Sequence, residues 1–114
     1  NVHNPGDVET GMNIEFIAHG NLSNPSLFNV DNREYIKILK DMKVGEKIIV
    51  NTNYGQKKIQ STFDGETTDI LNYLDLSSTF LQLSTGDNLF RYDADSNLNN
   101  LQVNIYYNPK YLGV

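Results

Sequence analysis

Met12-Asn13-Ile14-Glu15-Phe16-Ile17-Ala18-His19 is the stretch on which the fold turns. Met12, Ile14, Phe16 and Ala18 alternate with Asn13, Glu15 and His19, and a period of two sends alternate side chains to opposite faces of a sheet. The spacing predicts a half-buried strand. The same reading recurs outward from it at Leu27 to Val30, Tyr35 to Leu39, Lys47 to Thr52, Lys57 to Phe63, Thr79 to Leu83, Asn88 to Asp93 and Leu101 to Tyr107. All are rich in Val, Ile, Tyr, Phe and Thr. Turn chemistry separates them at short intervals: Asn24-Pro25, Asp31-Asn32, Lys43-Val44-Gly45, Asn53-Tyr54-Gly55, Asp64-Gly65, Thr85-Gly86-Asp87 and Ser96-Asn97. Roughly eight strands at such spacing predict an all-β sandwich or barrel. Only Thr68 to Leu76 reads otherwise. There Ile70, Leu71 and Leu74 stand at helical spacing behind a Thr68 or Asp69 cap, which predicts one short helical turn.

The 114 residues, 39% of them hydrophobic, suit one domain spanning 1–114. No internal repeat or low-complexity linker divides it. Asn1 to Asp7 is polar, lacks an initiator Met and has neither a basic region nor an apolar run behind it, so the chain reads as a processed piece. Asn4-Pro5-Gly6 resembles a leading linker, and Tyr106 to Val114 stays aromatic and apolar to the last residue, as a packed C-terminal strand would. The expectation is the C-terminal domain of a longer protein. No apolar run approaches the roughly 18 residues of a membrane span, so no membrane insertion is expected.

Composition narrows the chemistry. With no cysteine there are no disulfides, thiolate metal sites or thiol nucleophiles. A net charge of -5 and a pI near 4.8 would repel a phosphate backbone, so no nucleic acid partner is expected. The basic residues gather mid-chain, at Arg33, Lys37, Lys40, Lys43, Lys47, Lys57 and Lys58, with only Arg91 and Lys110 beyond residue 60. They read as lysines that block edge-to-edge strand pairing; a phosphate-binding groove is the alternative. Sixteen asparagines are dispersed among strands and turns rather than gathered in a tract, which makes them turn formers.

Reactive constellations are sparse. Asp93-Ala94-Asp95-Ser96-Asn97 opens like a calcium loop, but Leu98 stands where the sharp turn needs Gly, and Asn104 where a bidentate Glu would close the coordination sphere. It reads as an Asx-rich loop, with no metal site. His3 and His19 have no Ser or Asp signature beside them, and no nucleophile elbow, zincin or phosphate-loop motif occurs. The carboxylate pairs Asp64/Glu66 and Asp93/Asp95 fall in turns, which leaves glycoside hydrolysis without a placed acid and base. No catalytic or cofactor-binding residue emerges. Tyr54, Tyr73, Tyr92, Tyr106, Tyr107 and Tyr111 are candidate sugar platforms, against which stands the absence of Trp.

The ordered blocks carry a resemblance. Asn4-x-Gly6-Asp7-Val8-Glu9-Thr10 leads into Ile14-x-Phe16-x-Ala18-x-Gly20 and Asn24-Pro25. Glu34-Tyr35-Ile36 precedes Val44-Gly45-Glu46, and Ile48-x-Val50-x-Thr52 precedes Tyr54-Gly55-Gln56-Lys57. Leu74-Asp75 precedes Ser78-Thr79-Phe80-Leu81-Gln82-Leu83, and Gly86-Asp87-Asn88 precedes Tyr92-Asp93-Ala94. With the closing Val103-x-Ile105-x-Tyr107-x-Pro109-x-Tyr111-Leu112-Gly113-Val114, the order resembles the C-terminal domain of siphophage distal tail proteins from about Asn4 to Val114. Asp31-Asn32-Arg33 departs from it, standing where a Thr-Gly turn would precede the Glu. The resemblance implies an antiparallel two-sheet β-sandwich of galectin-like, jelly-roll type, in a structural virion protein at the phage tail tip. Its implied partners are other tail and baseplate proteins, through a homo-oligomeric ring, typically a hexamer, built by an N-terminal domain. It implies no cofactor and no catalytic residue. A host cell-wall glycan is the alternative ligand, although the Trp on which galectin sugar sites rely is missing.

Overall fold

The alternation of Met12 to His19 is realised as a central strand of a five-stranded antiparallel sheet. The computed structural model describes residues 1–112; Gly113 and Val114, which end the closing motif, lie outside the described residues. Its strands are β1 (Val2–Asn4), β2 (Asn13–Ala18), β3 (Leu22–Ser23), β4 (Ser26–Asn29), β5 (Tyr35–Lys37) and β6 (Asp41–Met42). They continue as β7 (Lys47–Asn51), β8 (Lys58–Phe63), β9 (Glu66–Asp69), β10 (Gly86–Asn88), β11 (Phe90–Asp93) and β12 (Leu101–Tyr106). The five-stranded sheet runs β12-β2-β7-β8-β9, and a three-stranded sheet runs β11-β4-β5. Two further pairs, β1-β10 and β3-β6, complete the antiparallel pairing.

One apolar core takes side chains from both larger sheets. Ile14 and Phe16 of β2, Ile48 and Val50 of β7 and Ile59 of β8 meet Leu27 of β4 and Ile36 of β5. Met12, Ile38, Ile70, Leu81 and Leu83 fill it from the connecting segments. Burying one such side chain contributes about 1.5–3 kcal/mol, and it is the period-two pattern that makes this burial possible on one face. Thr52 is the polar member of this wall: its hydroxyl donates to the Met12 carbonyl and accepts from the Met12 N–H, at 3.2 and 2.9 Å.

Several expectations are corrected. The helical reading of Thr68 to Leu76 gives way in part, because Thr68 and Asp69 belong to β9. A two-residue turn at Asp64 (φ 52°) and Gly65 (φ 78°) folds β9 back on β8, and its left-handed geometry suits the twist of a tight hairpin. Only Leu71–Tyr73 is helical, a single 3₁₀ turn, with Asp69 Oδ1 accepting the Leu71 N–H at 3.0 Å. Thr79 to Leu83 is not a ladder strand. Its Leu81 and Leu83 are buried, yet only Leu83 pairs, with Thr10, so the alternation there reports burial and not sheet pairing.

The stretch Asn88 to Asp93 breaks at Leu89 into β10 and β11, which pair with β1 and β4 respectively. Buried Asn88 fixes the break. Its Nδ2 donates to the carbonyls of Val2, Ser84 and Gly86, and its Oδ1 accepts the Ser84 N–H. The leading linker is likewise structured: β1 takes in Asn4, whose buried side chain donates to the carbonyls of Val8 and Leu83. Beyond β12 the chain crosses back over this region. The Asp7 N–H donates to the Lys110 carbonyl at 2.7 Å, the Thr10 hydroxyl to the Asn108 carbonyl, and the Tyr107 hydroxyl to the His3 carbonyl.

Candidate functional site

Inward-turning Leu27, Asn29 and Ile36 leave Ser26, Phe28, Tyr35 and Lys37 on the opposite face of the three-stranded sheet. The register sets Arg91 beside Phe28 and Asp93 beside Ser26, so two rows form, Arg91-Phe28-Tyr35 and Asp93-Ser26-Lys37. With Leu39 and Asp75 they line a groove of about 320 Å³. The Arg91 guanidinium lies 5.3 Å from the Phe28 ring centroid. Tyr35 donates its hydroxyl hydrogen to Asp75 Oδ2 at 2.6 Å, and that bond holds the phenol above its ordinary pKa. Lys37 Nζ sits 2.9 Å from Asp95 Oδ1 while Asn24 Nδ2 donates to Asp95 Oδ2. The bonds from Asn24 and Lys37 hold the Asp95 carboxyl below the usual carboxylate range, and the same ion pair raises Lys37. Cations, carboxylates, hydroxyls and aromatic rings thus share one surface with nearly balanced charge.

A second concavity, of about 230 Å³, is built on a buried carboxylate. Glu46 follows the Lys43-Val44-Gly45 turn, and its Oε2 accepts from Lys40 Nζ at 2.8 Å and Ser61 Oγ at 2.6 Å. Its Oε1 accepts the Lys43 N–H at 3.1 Å. Burial pushes this carboxyl up, but the Lys40, Ser61 and Lys43 bonds outweigh it and hold it below the ordinary value. With the carboxylate so occupied, Glu46 fastens the turn to β8. Phe63, Glu66 and Tyr73 also line this cavity, and Lys43 lies 5.5 Å from the Phe63 ring. A third hollow, of about 400 Å³, is bordered by Asn13, Asn53, Ile105, Tyr106, Tyr107 and Asn108.

The residues singled out in the sequence are scattered. Asp95 spends both oxygens on Lys37 and Asn24, Asp93 Oδ1 takes the Ala94 N–H, and Asn97 is left-handed before a 3₁₀ turn at Leu98–Asn100. Asn104 sits in mid-strand on β12 with its Nδ2 on Glu15. Among the described residues no group of three or more His, Asp or Glu is placed to hold a metal ion. His3, on β1, bonds Asp87 at 2.7 Å, while His19, just beyond the end of β2, bonds Gln102, so the two histidines serve separate contacts. Asp64 is spent in the β8–β9 turn, while Glu66 faces the Glu46 cavity.

Of the candidate tyrosines, Tyr54 stands exposed at the β7–β8 loop beside Lys57, Tyr73 lines the Glu46 cavity, and Tyr106 and Tyr107 border the third hollow. Tyr92 and Tyr111 are exposed and line none of these three. The mid-chain lysines do not guard the edges of the large sheet. Lys47 and Lys58 lie on its interior strands β7 and β8, Lys37, Lys40 and Lys47 are paired with Asp95, Glu46 and Glu15, and neither β9 nor β12 carries a basic residue. Sequence reasoning missed Phe28, Tyr35 and Asp75. The alternation in Leu27 to Val30 and Tyr35 to Leu39 was the signal for the first two; Asp75 arrives from a distant loop and had none.

Comparison with known proteins gives one match: the family model described as the siphovirus-type tail component, C-terminal domain, covers residues 5–111. No curated protein and no solved structure matches the chain.

Proposed function

Because the chain belongs to the siphovirus-type tail component family, whose C-terminal-domain model matches residues 5–111, we propose that this structural protein of the phage tail works at the tail tip. There it acts as an outward-facing platform that joins the tail tube to the adsorption apparatus. In this reading the five- and three-stranded sheets are the two layers of a galectin-like β-sandwich, supported by the single core that both sheets feed. Residues 1–114 form one domain of a longer chain whose N-terminal part builds a homo-oligomeric ring, a hexamer by family resemblance. Its work is docking to other tail and baseplate proteins, not catalysis.

The observation that carries the reading is the family match over residues 5–111. Immunogold labelling of intact virions with antibody to this chain tests it. Label at the distal end of the tail is the expected result; label spread along the tube, or none on virions, overturns it.

A second reading rests on the groove bearing Phe28, Tyr35, Arg91 and Asp93. Its volume lies at the low end of small-molecule sites, roughly 300–1,000 Å³, and its mixture of aromatic faces with paired donors and acceptors suits a neutral glycan of the host wall. A glycan array and binding to purified wall polysaccharide, both blank, would remove this reading.

A further inference from the structure

Hydrogen bonding across β2 determines which way β12 faces. The Ala18 N–H donates to the Glu46 carbonyl and the Thr52 N–H to the Met12 carbonyl, so Met12, Ile14, Phe16 and Ala18 spend their backbone groups on the β7 side. The His19 N–H donates to the Asn100 carbonyl, and by the same alternation Ile17, Glu15 and Asn13 bond Gln102, Asn104 and Tyr106. The intervening residues of β12, Leu101, Val103 and Ile105, therefore direct their N–H and C=O groups away from the sheet. Only the Leu101 N–H is used, in the 3₁₀ turn to the Leu98 carbonyl. Among the described residues nothing else bonds this edge.

An unguarded edge is a template for another strand, and natural sheets blunt such edges with charge, proline, bulges or brevity. β12 has none of these. It is six residues long, Leu101-Gln102-Val103-Asn104-Ile105-Tyr106, without charge or proline. It is also self-complementary. Laid antiparallel on a second copy with the twofold axis at Val103, it sets Val103 opposite the partner's Val103 and Leu101 opposite the partner's Ile105. All three are residues whose backbone groups point outward. Each copy then donates two hydrogen bonds, from Val103 N–H to the partner's Val103 carbonyl and from Ile105 N–H to the partner's Leu101 carbonyl.

The side chains agree on both faces. On the core side aliphatic residues meet aliphatic residues. On the other, Gln102 meets the partner's Asn104, extending a polar ladder in which Gln102 bonds both His19 and Asn104, and Asn104 bonds Glu15.

We infer that β12 is a homotypic docking edge: two copies of this chain join through it, antiparallel, into one continuous sheet with an isologous interface. A six-residue edge makes a small contact, so association is weak and concentration-dependent. Each copy carries a net charge of -5, so added salt strengthens the pairing by screening like charges.

Sedimentation velocity of the 114-residue chain from micromolar to millimolar concentration, with amide hydrogen exchange at each step, tests this. The expected result is a monomer–dimer equilibrium in which the Val103 and Ile105 amides become protected as concentration rises. Val103→Pro removes an outward N–H and leaves pairing with β2 in place; with the two bonds that flank the twofold axis lost, association weakens roughly 25-fold, each net hydrogen bond being worth about fivefold. The double substitution Gln102→Lys with Asn104→Lys, which places like charges across the interface and keeps Val103 intact, weakens it comparably. A chain that stays monomeric with fast-exchanging Val103 and Ile105 amides, or a dimer indifferent to both variants, overturns the proposal.

Discussion

At one edge of the five-stranded sheet β9 presents four exposed residues bounded by the carboxylates of Glu66 and Asp69; at the other β12 presents six residues without a charge. The β9 edge is also cut short. Asp69 turns its side chain on the Leu71 N–H and the chain leaves the sheet in a 3₁₀ turn. Both edges have outward backbone groups, so length and charge make the difference. One edge is closed to a further strand by brevity and acid, and the other is left open.

Predictions sort by how deeply they cut into that contrast. Phe16→Ala empties the centre of the core from β2, which lies between β12 and β7, and should cost about 3–5 kcal/mol in urea unfolding while loosening both edges together in hydrogen exchange. Glu46→Ala removes the acceptor of Lys40, Ser61 and the Lys43 N–H and should cost about 2–3 kcal/mol. Its effect should be lopsided, with β8 and β9 amides exchanging faster and those of β12 nearly unchanged.

Acid should act on the same side. The Glu46 carboxyl is held below its ordinary value of 4.5, so its contribution is complete above that pH and is lost as pH falls through the lower native value. Thermal midpoints measured downward from pH 5 should show this loss in the wild type and a shallower one in Glu46→Gln. Gly65→Ala forces a side chain into the left-handed turn that closes β8 on β9 and should cost about 1 kcal/mol, read by thermal unfolding, with the β12 edge unaffected. The smallest effect belongs to Glu66→Gln with Asp69→Asn. Stability should move by no more than about 0.5 kcal/mol, yet sedimentation should reveal new association through β9 if charge is what closes that edge.

The strands that alternate strongly were legible because burial on one face needs a period of two, and Met12 to His19, Lys47 to Thr52 and Leu101 to Tyr107 all sit where that reading put them, within a residue or two at their ends. What escaped was pairing that owes nothing to hydrophobic pattern. Glu66–Asp69 is polar throughout and is held in the sheet by its hairpin turn, so a helical spacing further along outweighed it. β1 is specified by contacts with residues more than eighty positions away.

For the candidate groove, the rows on β4 and β5 followed from alternation, whereas their union with Arg91 and Asp93 required a register that sequence spacing does not encode. Glu46, which follows the Lys43-Val44-Gly45 turn in the sequence, is a buried anchor in the structure. Nothing in its neighbours announces that Lys40 and Ser61 converge on it.

The crossing of the two chain ends has a mechanical meaning. A pull on Asn1 away from the domain first meets the three paired residues of β1, then the Asp7 to Lys110 bond and the Thr10 contacts with Asn108 and Leu83. These connections lie between such a pull and β2 and would be loaded before it. At about 3.3 Å per extended residue, the nine residues ahead of Thr10 would pay out roughly 30 Å of slack while the central sheet stays intact. The region that reads as a linker thus stands, mechanically, ahead of the central sheet.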